Sequence, residues 1–196
     1  MRLLLATHNA HKLREFERML ATDGGERVEL EALPAQFELP PEDGETFAQN
    51  ARVKARAAAL ATGRTSIADD SGICAAELGG APGVRSARFA GEHASDEENL
   101  QKLLREAPAG SALEYVCAIA HVSADGAEHL FEGRCAGVLA AEPRGEGGFG
   151  YDPAFVPLEQ AGAAELTMAQ LSDEQKDAIS HRGRALRELL GWLRAG

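Results

Sequence analysis

Residues 3–12 read Leu3-Leu4-Leu5-Ala6-Thr7-His8-Asn9-Ala10-His11-Lys12, and the class of the whole chain follows from how they are read. The apolar run is too short for a helix and has no polar alternation, so it predicts a strand buried on both faces. Beyond the polar turn, Leu13, Phe16 and Leu20 fall at i, i+3 and i+7, one stripe of a helix. Asp23-Gly24-Gly25 supplies the turn residues that end it. Strand, polar turn and helix together form the unit from which α/β sheets are built.

The same punctuation continues outward. Pro40-Pro41-Glu42-Asp43-Gly44 marks a loop, and Thr46 with Gln49 forms a capping box for an alanine-rich helix reaching about Ala61 and stopped by Gly63. Thr65-Ser66-Ile67-Ala68 reads as a strand that ends in a turn at Asp69-Asp70-Ser71-Gly72. After a Gly-rich stretch from Gly79 to Gly91, Ser95 and Glu98 cap a helix carrying Leu100, Leu103 and Leu104, broken at Pro108. Leu113 to Ser123 and Glu128 to Leu139 flank Asp125-Gly126 and predict an antiparallel hairpin. Pro143 to Pro153 is a long loop. Ser172 with Gln175 caps a penultimate helix that His181-Arg182 closes, and Leu186, Leu189, Leu190 and Leu193 line the last one. With no internal repeat and no linker, residues 1–196 read as one α/β domain whose strands, hairpin and helices share one mixed sheet or two abutting lobes.

A chain of 196 residues buries about 70% of its unfolded surface and needs no disulfide staple. Asp and Glu number 31 against 20 Lys and Arg, a net charge of -11 that repels duplex nucleic acid and anionic membranes, so neither is expected as a partner. A small anion is still admitted, because local amides, a metal ion and a few cations outweigh a distant global charge. Cys74, Cys117 and Cys135 form an odd set without C-x-x-C spacing and read as small core residues of a reducing compartment. The run from Leu3 to Ala6 is too short for a signal sequence, which makes the cytoplasm the expected location.

Thr7, Asn9 and Lys12 put a hydroxyl, a carboxamide and an ammonium where helix amides point at an incoming anion, with phosphate the natural guest. Taken alone, such a turn is more often a helix cap with a solvated lysine. Asn50 and Lys54, at i and i+4 beside Phe47, either steady a second phosphate or form a partly exposed polar stripe. Asp69 and Asp70 point to opposite faces of a strand, so one of them is the better ligand; with Glu42 it would suit Mg²⁺, whereas turn chemistry explains both without any ligand. Gly145-Glu146-Gly147-Gly148-Phe149-Gly150 matches G-x-G-x-x-G but follows no first strand and opens no helix, and so reads as a loop presenting Phe149, Tyr151 and Asp152 to a base. Lys176, His181 and Arg182 are either helix C-terminal cations or donors to a base carbonyl.

In this order and spacing, Thr7 to Lys12, Glu42 to Lys54, Ile67 to Gly72, Gly79 to Gly83, Gly147 to Pro153 and Ser180 to Gly183 closely resemble the inosine/xanthosine triphosphate pyrophosphatases, the Ham1-like family. The resemblance implies an elongated mixed sheet with flanking helices forming two lobes around a central cleft, usually as a homodimer. It implies Mg²⁺-dependent cleavage between the α- and β-phosphates of ITP, dITP or XTP, which cleanses the nucleotide pool. By the same resemblance the turn Thr7-His8-Asn9-Ala10-His11-Lys12 holds the triphosphate and Lys54 adds charge. Glu42 and Asp70 place the metal, and Asp70 accepts the proton of the attacking water. Asp69 and Ser71 flank the reacting phosphate; Phe149, Gly150, Tyr151, Asp152, Lys176, His181 and Arg182 form the base pocket. Relatives commonly carry Gly where this chain has His8, so an adjusted phosphate turn is expected. The competing readings are a Maf-like pyrophosphatase for other nucleotides and a nucleotide sensor without turnover.

Overall fold

A computed structural model describes residues 1–22, 28–34, 36–159 and 165–195; the expected helix stop at Asp23-Gly24-Gly25 lies outside them. The strands are β1 (Arg2–Leu5), β2 (Glu29–Ala32), β3 (Ser66–Ala75), β4 (Ala112–Val122), β5 (Glu128–Leu139) and β6 (Phe155–Pro157). The helices are α1 (Ala10–Thr22), α2 (Phe47–Thr62), α3 (Asp96–Glu106), α4 (Asp173–Ile179) and α5 (His181–Ala195). The strands form a six-stranded sheet in the order β2-β1-β3-β4-β5-β6. β1 runs parallel to β2 and β3, and β5 runs antiparallel to β6. The connection 123–127 is far too short for a crossover, so β4 and β5 are antiparallel as predicted. The class is mixed α/β.

The local signals explain most boundaries. α2, α3 and α4 each open with a complete capping box, at Thr46/Gln49, Ser95/Glu98 and Ser172/Gln175. Gly63 ends α2 in the left-handed conformation at φ 66°. Asn9 caps α1 by accepting from the backbone amides of His11 and Lys12 at 2.9 and 3.1 Å.

Two expectations are corrected. Asp69-Asp70-Ser71-Gly72 is not a turn: β3 continues through it to Ala75, with Asp69 and Asp70 buried. Turn propensity loses here because each acid gains a partner on a neighbouring helix. His181-Arg182 does not close the penultimate helix either; the pair opens α5. Ser180 takes extended backbone (φ -65°, ψ 153°), and its hydroxyl accepts from the Gly183 amide at 3.0 Å, so one residue ends α4 and caps α5. Cations at that end oppose the helix dipole, so C-terminal placement cannot account for them.

The chain divides into two compact units. The first comprises Met1–Asp70, Cys117–Glu132 and Ala185–Gly196; the second comprises Ser71–Val116 and Gly133–Arg184. Period-two alternation builds the core of the first unit on both sheet faces. Leu3, Leu5, Ile67 and Ile119 pack with Phe16 of α1 and Leu186 and Leu189 of α5. The alternate residues Leu4, Ala6, Ala68, Ala118 and Ala120 pack with Ala51, Ala55 and Ala58 of α2. The second unit is centred on Ile73, Leu100, Leu103, Tyr115, Tyr151, Phe155 and Met168.

Candidate active site

In the first unit, the two adjacent carboxylates of β3 serve two different helices. Asp69, fully buried, meets Lys12 of α1 at 3.0 Å and lies 3.9 Å from the Cys117 thiol. Asp70 turns the other way, as strand geometry requires. Its Oδ2 accepts from Asn50 Nδ2 at 2.9 Å and its Oδ1 stands 3.9 Å from Lys54 Nζ. Lys12 is therefore an ion-paired side chain only 13% exposed, not a solvated one. Asn50 and Lys54 are buried on α2 and do not form an exposed stripe.

Lys54 ties the cluster together. Its ammonium donates to the Asp69 carbonyl at 2.7 Å and pairs with Glu42 from the preceding loop. Burial works against this ammonium, but Asp70, Glu42 and Asp69 outweigh it and raise its pKa above the ordinary lysine value. Burial also pushes the Asp70 carboxyl up, although Lys54 and Lys12 pull it down. A buried carboxylate shifted towards neutrality is poised to take a proton.

Among the described residues no group of three or more His, Cys, Asp or Glu side chains could hold a metal ion. Glu42 and Asp70 nonetheless bring two carboxylates to one cation, Lys54 Nζ. Two hard oxygen donors suit Mg²⁺, which completes its shell with waters and substrate phosphates. The turn before α1 carries the expected groups: Thr7 Oγ1 accepts from the Asn9 amide at 3.1 Å, while His8, Asn9, Ala10 and His11 are exposed. His8 adopts no left-handed backbone, since no non-glycine among the described residues has positive φ. Its ring instead reaches the Phe37 carbonyl at 2.8 Å.

In the second unit, Asp152 is the hub. Its Oδ2 accepts from Lys176 Nζ at 2.6 Å and from the Phe149 amide at 2.9 Å; its Oδ1 accepts from the Tyr115 hydroxyl at 3.1 Å. Gly148, at φ 68°, lets the loop fold this tightly, since a Cβ there would fall 2.1 Å from Asp152 Oδ2. Lys176 and the Arg182 guanidinium lie 5.2 and 5.8 Å from the centre of the Phe149 ring. Arg182 also donates to Ser71 Oγ at 2.8 Å. Gly150 donates its amide to Asp96 at 2.9 Å. Tyr151 departs from expectation: it is buried in the core with its hydroxyl on the Ser86 carbonyl at 2.8 Å, so Phe149 is the aromatic the loop presents. No α-helix opens at the glycines, only a three-residue 3-10 turn at Asp152–Ala154; Gly147 docks on the Ala169 carbonyl at 3.0 Å.

The Ham1 family's sequence profile matches residues 3–192. The chain belongs to the Ham1 family. A dITP/XTP pyrophosphatase of Corynebacterium glutamicum (strain R) is 48% identical over 198 residues, covering 97% of this chain and 95% of the relative. One from Mycolicibacterium paratuberculosis is 50% identical over 194 residues, covering 96% and 93%. A solved Ham1 protein from Coxiella burnetii matches with a TM-score of 0.84 at 37% identity and covers both chains completely. This Ham1 chain also contains a residue that the sequence reading missed. Tyr115 stacks on His181 with ring centres 4.6 Å apart and planes 11° apart. In sequence it is one more apolar position of β4, and its hydroxyl partner lies 37 residues away, so no local signal marks it.

Proposed function

We propose that this chain is a nucleoside-triphosphate pyrophosphatase that cleaves dITP, XTP and ITP between the α- and β-phosphates, releasing the monophosphate and pyrophosphate. The observation that carries the reading is the buried Asp70 carboxylate with Asn50, Lys54 and Lys12 disposed about it, in a chain so similar to named dITP/XTP pyrophosphatases.

In this reading Thr7, Asn9 and the positive end of the α1 dipole take the outer phosphates, and Lys12 and Lys54 stabilise charge on the departing pyrophosphate. Asp70 orients a water towards the α-phosphorus and accepts its proton. Glu42 and Asp70 would hold Mg²⁺, which when bound neutralises phosphate oxygens. Asp69 and Ser71 flank the reacting phosphate. Lys176, His181 and Arg182 donate to the 6-oxo group of the base, and Phe149 offers its ring to it. Adenine, with an amino donor at that position, would leave those donors unpaired. The two units then act as one enzymatic domain, in the cytoplasm and as a homodimer, which sedimentation equilibrium tests.

Product analysis decides the reading. With dITP and Mg²⁺ the expected products are dIMP and pyrophosphate, lost on chelation with EDTA. Orthophosphate without monophosphate would overturn the bond assignment. Asp70→Asn should lower kcat by about 100-fold or more while leaving the fold intact. A panel with dUTP, dTTP and GTP separates the Maf-like alternative, and binding without turnover would identify a sensor.

A further inference from the structure

Asn50 is 2% exposed, and both ends of its amide are spent inside the first unit. Nδ2 donates to Asp70 Oδ2 at 2.9 Å, and Oδ1 accepts from the Gly44 amide at 2.8 Å. The geometry matters because the terminal torsion of an aspartate is broad and roughly two-fold, so nothing intrinsic sets the plane of the Asp70 carboxylate. Asn50 grips one oxygen and leaves Oδ1 on the Lys54 side. The same amide anchors Gly44, two residues beyond Glu42, so one side chain holds both the carboxylate and the loop that carries the second acid.

Gly44 fits this arrangement sterically. A Cβ there would lie 2.6 Å from Asn50 Oδ1 and 2.9 Å from Gln49 Cβ, so any larger residue displaces the amide.

We infer that Asn50 is a positioning residue: through one carboxamide it fixes the orientation of Asp70 and the placement of the Glu42 loop, with Gly44 providing the close approach this needs. The inference rests on the assignment of Asp70 as proton acceptor. Asn50→Ala should lower kcat for dITP by about 10- to 100-fold while KM changes less than about threefold, as expected when a reacting group is displaced and ligand contacts are kept. Gly44→Ala, which leaves Asn50 and Asp70 themselves unaltered but crowds the Asn50 amide, should lower kcat in the same way. The double variant should lose less than the product of the two single effects, because both act on one amide. Asn50→Asp, which sets a second carboxylate against Asp70, should be worse than Asn50→Ala. Calorimetric binding of the α,β-imido analogue of dITP should stay within about twofold of wild type in both single variants, which a direct phosphate contact would not allow.

Normal kcat in folded Asn50→Ala, or a loss confined to KM and analogue affinity, overturns the inference while wild-type turnover and inactive Asp70→Asn still support the proposed activity. A wild-type chain that releases no pyrophosphate overturns both. Should Asn50→Ala fail to fold, Gly44→Ala decides: unchanged kcat there counts against the inference.

Discussion

Lys12 and Asp69 form an ion pair whose acid has no exposure to solvent. Removing one member of such a pair leaves a buried charge uncompensated, so Lys12→Ala should cost about 3 kcal/mol in urea unfolding, in addition to any loss of turnover. Alkaline pH acts on other residues. Burial pushes the Cys135 thiol from 9.0 up to about 11, and burial also raises the Tyr151 hydroxyl. Above pH 9.0 the unfolded chain sheds the Cys135 proton that the native state retains. Its contribution to stability is thus complete below the unfolded pKa and lost as pH rises through the folded one. Urea midpoints compared at pH about 8 and about 10 should fall for the wild type and fall less for Cys135→Ala.

At the scale of elements, Ser95→Ala removes the cap of α3, a helix that carries none of the proposed site residues. It should cost about 1 kcal/mol by thermal or urea unfolding and leave kcat unchanged. Such caps were readable because their chemistry spans four consecutive residues. The β4–β5 hairpin was readable for the same local reason, through Asp125-Gly126 and its flanking alternation. β3 was not, because Asp-Asp-Ser-Gly has the composition of a turn, and what keeps it extended is Lys12 and Lys54, which lie on two separate helices earlier in the chain. The α4–α5 junction escaped because a single extended residue, Ser180, interrupts an otherwise helical pattern. For the site, the residue types were legible, whereas the pairing of Tyr115 with His181 and the burial of Tyr151 depend on packing that no spacing encodes.

Across the whole molecule, each unit has its own apolar core. Phe16, fully buried in the first, and Phe155, fully buried in the second, should each cost about 3–5 kcal/mol when truncated to alanine, measured by denaturant unfolding. Separate transitions by two probes would show the units unfolding independently; coincident ones would show a single cooperative block. In the proposed function the net charge of -11 is offset locally, by Lys12 and Lys54 of the first unit together with the metal that Glu42 and Asp70 would hold. The alternation of Asp69 and Asp70 along β3 also limits how the gene can change. Deleting one codon between Ser66 and Ala68 would present Asp70 to Lys12 and Ser71 to Asn50, whereas inserting one would present Asp69 to Asn50 and Ala68 to Lys12. A change of length in this strand is therefore tolerable only where a compensating bulge returns both acids to their places.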